Sequence, residues 1–250
     1  MEGQTKKRCV VTIPTYNEKE NIAEVVREIL DLPLPGYDLT ILVVDDNSPD
    51  GTAEEVARIA RSESRVRLLV RTKRRGRGAA GIDGFRTALE LHPDRIIEMD
   101  GDLSHQPRFI PSLLAGSDSY DIVLGSRFVQ GGKDADRNIV RRIITSLVRK
   151  FIRYQFHFPV RDVSSGFRCF KADVLERIDL DDMISVGPSI VQEVLYKASL
   201  LGFKMGEVPI TFLDRKKGKT KLSFLTLLET LIMVLKFKKQ YAGLSQAKAS

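Results

Sequence analysis

Cysteine is nearly absent from this 250-residue sequence, where Cys9 and Cys169 are the only two. Two cannot build a disulfide framework or a four-ligand zinc site, so a reducing, intracellular compartment is the default expectation. Long apolar runs are missing too, since no stretch reaches the ~18 continuous apolar residues of a membrane-spanning helix. Met1 to Arg8 carries basic residues but no apolar core of signal-peptide length before Pro14, so no export signal is expected. No Walker sequence is present, because Gly76-Arg77-Gly78 lacks the lysine–serine ending and the spacing. Internal repeats and low-complexity tracts are also lacking. Histidine is sparse: His92, His105 and His157 are scattered, and His105 reads as a polar turn residue beside an acidic cluster that it could line.

What remains is an ordinary globular composition, 42% hydrophobic and 29% charged, long enough for one large domain or two small ones. Lys and Arg outnumber Asp and Glu by 40 to 33, a net charge of +7. Such a balance suits nucleic acid, an anionic membrane surface or a phosphorylated small molecule. Where the charge lies must decide among them.

The first half alternates strand and helix. Strands are expected at Val10 to Ile13, Leu39 to Val44, Val66 to Val70, Ile96 to Met99 and Asp121 to Leu124. Helices are expected at Asn21 to Leu30, Gly51 to Ala60 and Gly78 to Leu91. This order predicts an α/β fold with a mostly parallel sheet. Polar clusters follow three strands: Pro14 to Glu18, Asp45 to Gly51, and Asp100-Gly101-Asp102. Each alone reads as turn residues. Together, at the carboxyl ends of strands in an open sheet, they point to one cleft.

The second half changes character. From Arg137 to Arg161 there are seven basic residues and no acidic one. Apolar residues from Ile139 to Ile152 recur at helical spacing, with Arg142, Arg149 and Arg153 on the other face. That pattern fits either a surface helix on the core or a basic helix lying in a membrane interface. Glu207 to Phe212 is expected to be one more strand. Asp214 to Lys221 follows as a polar loop with five basic residues, and then Leu222 to Phe237 as a buried or interfacial helix. The expected organisation is one domain over 9–222 that includes the basic helix near 137–155. An apolar helix over 223–239 and a polar tail over 240–250 complete it.

Two carboxylates flanking Gly101 at a strand end suit a hard divalent cation whose other ligands are water and phosphate oxygens. Such a cation stabilises a diphosphate leaving group. Arg127 after the fifth strand, with Arg215 and Lys221 in the basic loop, would grip phosphates.

These segments resemble the family 2 glycosyltransferases: Pro14-Thr15-Tyr16-Asn17-Glu18, Val44 to Gly51, and Asp100 to His105. Gly125 to Phe128, Ser165 to Arg168, Gly206 to Ile210 and Arg215 to Leu222 resemble in particular the dolichyl-phosphate mannose synthases within that family. The likeness runs from about Cys9 to about Leu235. It implies a GT-A (Rossmann-like) fold and a nucleotide-sugar donor, GDP-mannose ahead of UDP-glucose. By matching positions, Pro14, Tyr16, Glu18, Val44 and Asp46 would hold the nucleotide, while Asp100, Gly101 and Asp102 would contact the diphosphate. Asp102 would be the main ligand of Mg²⁺ or Mn²⁺, with Asp100 and Ser104 as further ligands. Arg127, Arg215 and Lys221 would hold donor and acceptor phosphates, and Glu193 falls at a family position near the site. The chain departs from the family at Arg77, where an aliphatic residue is usual, and at Gly101, where Ala is common. Many relatives continue into transmembrane helices, which leaves the mode of membrane attachment open here.

The acceptor implied is a dolichyl or polyprenyl phosphate at the cytosolic surface of a membrane, with a small membrane-anchor subunit as a further partner. A phosphate monoester has its second pKa near ~6 and is mostly ionised at neutral pH, so it needs no catalytic base. A sugar hydroxyl as acceptor would need one, and Asp162 or Glu193 would have to serve. A non-catalytic membrane-surface subunit is the remaining alternative. Nucleic-acid binding has no motif to support it.

Overall fold

The computed structural model describes residues 5–73, 76–134, 139–213 and 224–243, with side chains described outside 139–143 and 224–228. The chain opens with β1 (Lys7–Thr15), α1 (Lys19–Leu30), β2 (Tyr37–Asp45), α2 (Thr52–Ser62), β3 (Val66–Val70), α3 (Arg77–Leu89) and β4 (Arg95–Glu98). The short α4 (Ile110–Gly116) leads to β5 (Ile122–Ser126) and the two-residue β6 (Lys133–Asp134). After α5 (Ile139–Phe156) come β7 (Arg168–Lys171), α6 (Ala172–Arg177) and α7 (Ile190–Leu200). The described chain closes with β8 (Met205–Pro209), β9 (Thr211–Phe212) and α8 (Phe224–Gln240).

The main sheet of the described residues has the order β3-β2-β1-β4-β7-β5-β8. All pairs are parallel except those of β7, which runs against β4 and β5. The pleat sends alternate residues to two cores. Val10, Leu42, Val44 and Ile96 enter one, while Val11, Ile13, Ile41, Val43 and Ile97 enter the other. Burial on both faces is why these strands read as continuous apolar runs. Helix α1 covers the second core with Ile22, Val25, Val26 and Ile29, the i, i+3, i+4, i+7 pattern of one helical stripe. Cys9 and Cys169 are buried free thiols.

Three expectations need correction. The expected strand Glu207 to Phe212 is two pieces: β8 pairs with β5, whereas β9 pairs with β6 in a separate small sheet. Ile210, between them, is buried in the core and turns the chain. His105, expected as a polar turn residue, lies in the bend after β4 but is 3% exposed and packs beside the acidic loop. Finally, the apolar face of α5 divides. Ile152 and Phe156 enter the core with Val148 packed beside them, while Leu147 (63% exposed) and Tyr154 (77%), with Ile144 and Phe151, face outward. At roughly 100° per residue the two stripes lie about 120° apart, close enough to look like one face in sequence.

Helix α8 also shows two sides. Val234, Phe237 and then Tyr241 pack inward, and Ile232 and Leu235 are exposed. Phe156, Tyr196 and Phe237 join α5, α7 and α8, with ring centroids 4.1 Å apart for Phe156–Tyr196 and 6.5 Å for Phe156–Phe237. Among the described residues, no helix is long and apolar enough to cross a membrane.

Candidate active site

The sheet progresses outward in opposite directions from β1 and β4, so a crevice opens at their carboxyl ends. The loops after β1, β2 and β4 meet there. Each contains a non-glycine residue in the left-handed region: Asn17 (φ 60°), Asn47 (φ 53°) and Leu103 (φ 63°). Asparagine tolerates this conformation, but a leucine there is strained and must be held by its surroundings.

The first two loops are tied by side chains. Asp45 accepts from Thr15 Oγ1 at 2.9 Å and from the Ser48 amide and hydroxyl at 2.8 and 2.6 Å. Ser48 Oγ in turn accepts from the Asn17 amide at 3.0 Å. Asp46 is buried, ion-paired with Arg71, and accepts from the Gly76 amide at 2.8 Å. Pro14, Tyr16 and Glu18 are half-buried on the β1 loop, and Glu18 accepts from Asn21 Nδ2 at 2.9 Å. Val44 is different: its side chain is fully buried in the core, where a Cβ on Gly84 would stand 3.1 Å from it. Its side chain therefore supports the strand end and does not reach the cleft.

The acidic loop is organised around charge. Asp102 is 3% exposed, and its Oδ1 accepts from the Ser104 amide at 3.1 Å and hydroxyl at 2.5 Å. Gly101 sits close to β1, where a Cβ would come within 3.1 Å of Ile13 and Thr15. Asp100 pairs with Arg77 at 2.7 Å, and Arg77 also reaches Glu98 at 3.1 Å. Glu98 is fully buried and its other oxygen is ion-paired with the buried Arg168. Burial raises the Glu98 carboxyl, but the charges of Arg168 and Arg77 outweigh it and hold the group below its ordinary range. Nδ1 of His105 accepts from the Asp100 amide at 3.2 Å, which places the ring proton on Nε2. Burial lowers its pKa despite Asp100 and Asp102, which favours the neutral imidazole. It stacks on Phe167 at 5.3 Å and meets Phe212 edge-on at 5.4 Å.

Arg127 closes the other side. It binds Asp162 through Nε and Nη2, both at 2.8 Å, and Ser164 Oγ at 2.8 Å. Its guanidinium also lies 5.1 Å from the Phe212 ring. Burial raises the Asp162 carboxyl, but Arg127 wins and holds it ionised below its ordinary range. Leu213 is tied to the acidic loop, since its amide donates to the Ser104 carbonyl at 3.3 Å. Arg215 and Lys221 lie outside the described residues.

Neither alternative base is available. Asp162 is bound twice by Arg127. Glu193, fully buried, accepts from the Ile184 and Ser185 amides at 2.8 and 2.9 Å and from the Tyr241 hydroxyl at 2.5 Å. It anchors a loop and does not line the cleft. Glu98 and Arg168 were missed as a site pair. The available signal was a single carboxylate in the otherwise apolar Ile96 to Met99.

Among the described residues, no group of three or more His, Cys, Asp or Glu is arranged to hold a metal ion. The donors that are present suit a cation bound together with a diphosphate. Asp102 and Ser104 offer hard oxygen ligands, and Mg²⁺ takes only one or two carboxylates when phosphates supply the rest.

Comparison with known proteins agrees in family and fold. The profile of Glycosyl transferase family 2 matches residues 10–179. An undecaprenyl-phosphate mannosyltransferase of Micrococcus luteus is 38% identical over 216 residues, 86% of this chain and 88% of that protein. A polyprenol monophosphomannose synthase of Mycolicibacterium smegmatis is 34% identical over 230 residues, 91% of this chain and 86% of that protein. Glucosyl-3-phosphoglycerate synthase of Mycobacterium tuberculosis, solved with Mn²⁺, UDP-glucose and phosphoglyceric acid, superposes with a TM-score of 0.66 at 17% identity. That superposition covers 92% of this chain and 79% of the other.

Proposed function

Since this chain belongs to glycosyl transferase family 2 and has its GT-A-like fold, we propose that it transfers mannose from GDP-mannose to a dolichyl-type polyprenyl phosphate, with inversion. The observation that carries this reading is the pairing of an acidic strand-end loop with a cleft whose candidate bases are both committed elsewhere. An acceptor that is already anionic fits such a site, and a neutral hydroxyl does not. The names of the two mannosyltransferase relatives support the same acceptor class and sugar.

Pro14, Tyr16, Glu18 and Asp46 serve the nucleotide side, and Asp100, Gly101 and Asp102 face the diphosphate. Asp102 with Ser104 would hold Mg²⁺ or Mn²⁺, which would supply Lewis-acid stabilisation of the departing diphosphate. Arg127, fixed by Asp162 and Phe212, offers positive charge that needs no reorganisation when the phosphate oxygen attacks. By motif position, Arg215 and Lys221, outside the described residues, would hold the donor and acceptor phosphates. No residue has to remove a proton. Orientation of the two substrates supplies the remaining acceleration.

The acceptor places the work at a membrane surface, and the cytoplasmic face is where the donor would be met. The outward stripes of α5 and α8, with Lys150, Arg153, Lys236 and Lys238 exposed beside them, suit docking on an anionic bilayer. A small membrane-anchor subunit is a further partner those stripes accommodate.

The test is transfer of labelled sugar into an organic phase. Protein, Mg²⁺ or Mn²⁺ and a short-chain polyprenyl phosphate in detergent receive labelled GDP-mannose or UDP-glucose. Metal-dependent lipid product from GDP-mannose alone is the expected result. Product from UDP-glucose alone would overturn the donor, and hydrolysis without lipid product would overturn the acceptor.

A further inference from the structure

The acidic loop already holds a cation that belongs to the chain. Arg77 is the first residue of α3, and its guanidinium bridges Glu98 Oε1 at 3.1 Å and Asp100 Oδ1 at 2.7 Å. A positive charge at a helix N-terminus opposes the helix dipole, so the position is unfavourable without those two carboxylates. Glu98 does not depend on Arg77, because Arg168 binds its other oxygen. Asp100 is the partner that matters: its side chain is 30% exposed and lies in the loop that faces the donor diphosphate. Space has been cleared for the contact. A Cβ on Gly166 would stand 2.7 Å from Arg77 Nη2 and 3.7 Å from Asp100 Oδ1.

We propose that Arg77 is a tethered competitor of the divalent cation at Asp100, holding that carboxylate until a nucleoside diphosphate arrives. This rests on the donor-site reading above. Before the donor binds, the guanidinium repels an incoming cation and occupies one carboxylate, which leaves Asp102 and Ser104 as the chain's metal ligands. The diphosphate brings oxygen ligands and negative charge of its own. It recruits the metal, and it gives the guanidinium fork a new anionic partner when Asp100 is released. Metal binding thereby becomes conditional on nucleotide.

Electron paramagnetic resonance of Mn²⁺ with the full chain tests this, first alone and then with GDP. Wild type is expected to bind Mn²⁺ weakly alone and more tightly with GDP. Arg77→Met removes the charge and should tighten nucleotide-free Mn²⁺ binding about tenfold, with a smaller further gain from GDP. Arg77→Lys, which keeps a charge, should stay nearer to wild type than to Arg77→Met. Asp100→Asn should cancel the gain in the Arg77→Met background yet change little by itself, a coupling read from the double-mutant cycle. Gly166→Ala, whose methyl group intrudes on the guanidinium, should shift Mn²⁺ affinity in the same direction as Arg77→Met. Thermal unfolding identifies the folded variants, and Gly166→Ala carries the test if Arg77→Met is not among them. Unchanged nucleotide-free Mn²⁺ affinity in the folded variants overturns the proposal and leaves the donor site standing. Failure of GDP to bind wild type overturns the donor-site reading, and the proposal with it.

Discussion

The two halves of the molecule share one use of carboxylates and differ in another. Up to β5, the site carboxylates gather on loops at strand ends, where Asp100 and Asp102 approach the crevice. After β5, the buried or half-buried ones act as clamps on backbone and guanidinium. Asp162 holds Arg127, Glu193 holds the Ile184 and Ser185 amides, and Glu207 takes the Arg161 and Asp162 amides at 2.7 and 2.8 Å. Construction is common to both halves, as Asp45, Asp46 and Glu98 show before β5, whereas carboxylates on the strand-end loop assigned to the donor occur only in the first. On α5 and α8 of the second half the exposed side chains include Lys150, Arg153, Lys236 and Lys238, a stretch of surface suited to phosphates and anionic lipid.

That contrast is most directly broken at Asp102. Asp102→Ala should reduce transfer by about 10²–10³-fold, measured as kcat/KM in the extraction assay, with the fold intact by circular dichroism. An equal loss from Glu193→Gln would abolish the distinction between the halves. Asp162→Asn should act on stability instead, costing about 3–5 kcal/mol in denaturant unfolding because Arg127 is left buried without its counter-charge. The folded Asp162 titrates below its ordinary range, so its contribution is complete above an unfolded value of about 3.9 and fades as pH falls through the lower folded one. Stability of the Asn variant should accordingly depend less steeply on pH in acid than that of wild type.

Smaller effects sharpen the same comparison. Glu193→Gln should lower stability by about 1–3 kcal/mol, since a neutral amide cannot accept all three bonds, while transfer persists once the protein is folded. Leu147→Glu and Phe151→Glu lie on the outward stripe of α5 and should change stability by no more than about 0.5 kcal/mol. Their effect should appear in sedimentation with anionic vesicles, where binding weakens while GDP binding is retained.

What the sequence revealed depended on contrast between neighbours. β1 and β2 were legible because long apolar runs stop at Pro14 to Glu18 and Asp45 to Gly51, and the acidic triplet because it interrupts Ile96 to Met99. α7 showed no stripe because it is buried all round, with Gln192, Glu193 and Lys197 inside alongside Val194 and Leu195. β7 is four residues with a charge at each end, and its antiparallel pairing is set by its neighbours. Arg127 was visible beside a strand, but its partner is 35 residues away, beyond any local pattern. Val44 was placed at the cleft by motif position alone, which fixes the backbone and not the direction of the side chain.

Because β7 runs against its neighbours, its first residue, Arg168, lies opposite Glu98 and Leu124 near the ends where β4 and β5 finish. The chain therefore leaves the sheet at Ser126 and returns to it at Arg168 on the same rim, and the Arg127–Asp162 pair ties departure to return. The excursion that contains α5 is also held by Ile152 and Phe156 in the core and by β6 on β9, so the rim pair is one of several attachments. Ile144, Leu147, Phe151 and Tyr154 take no part in that packing, so that outer stripe of α5 can be rebuilt while the parallel strands beneath keep their register.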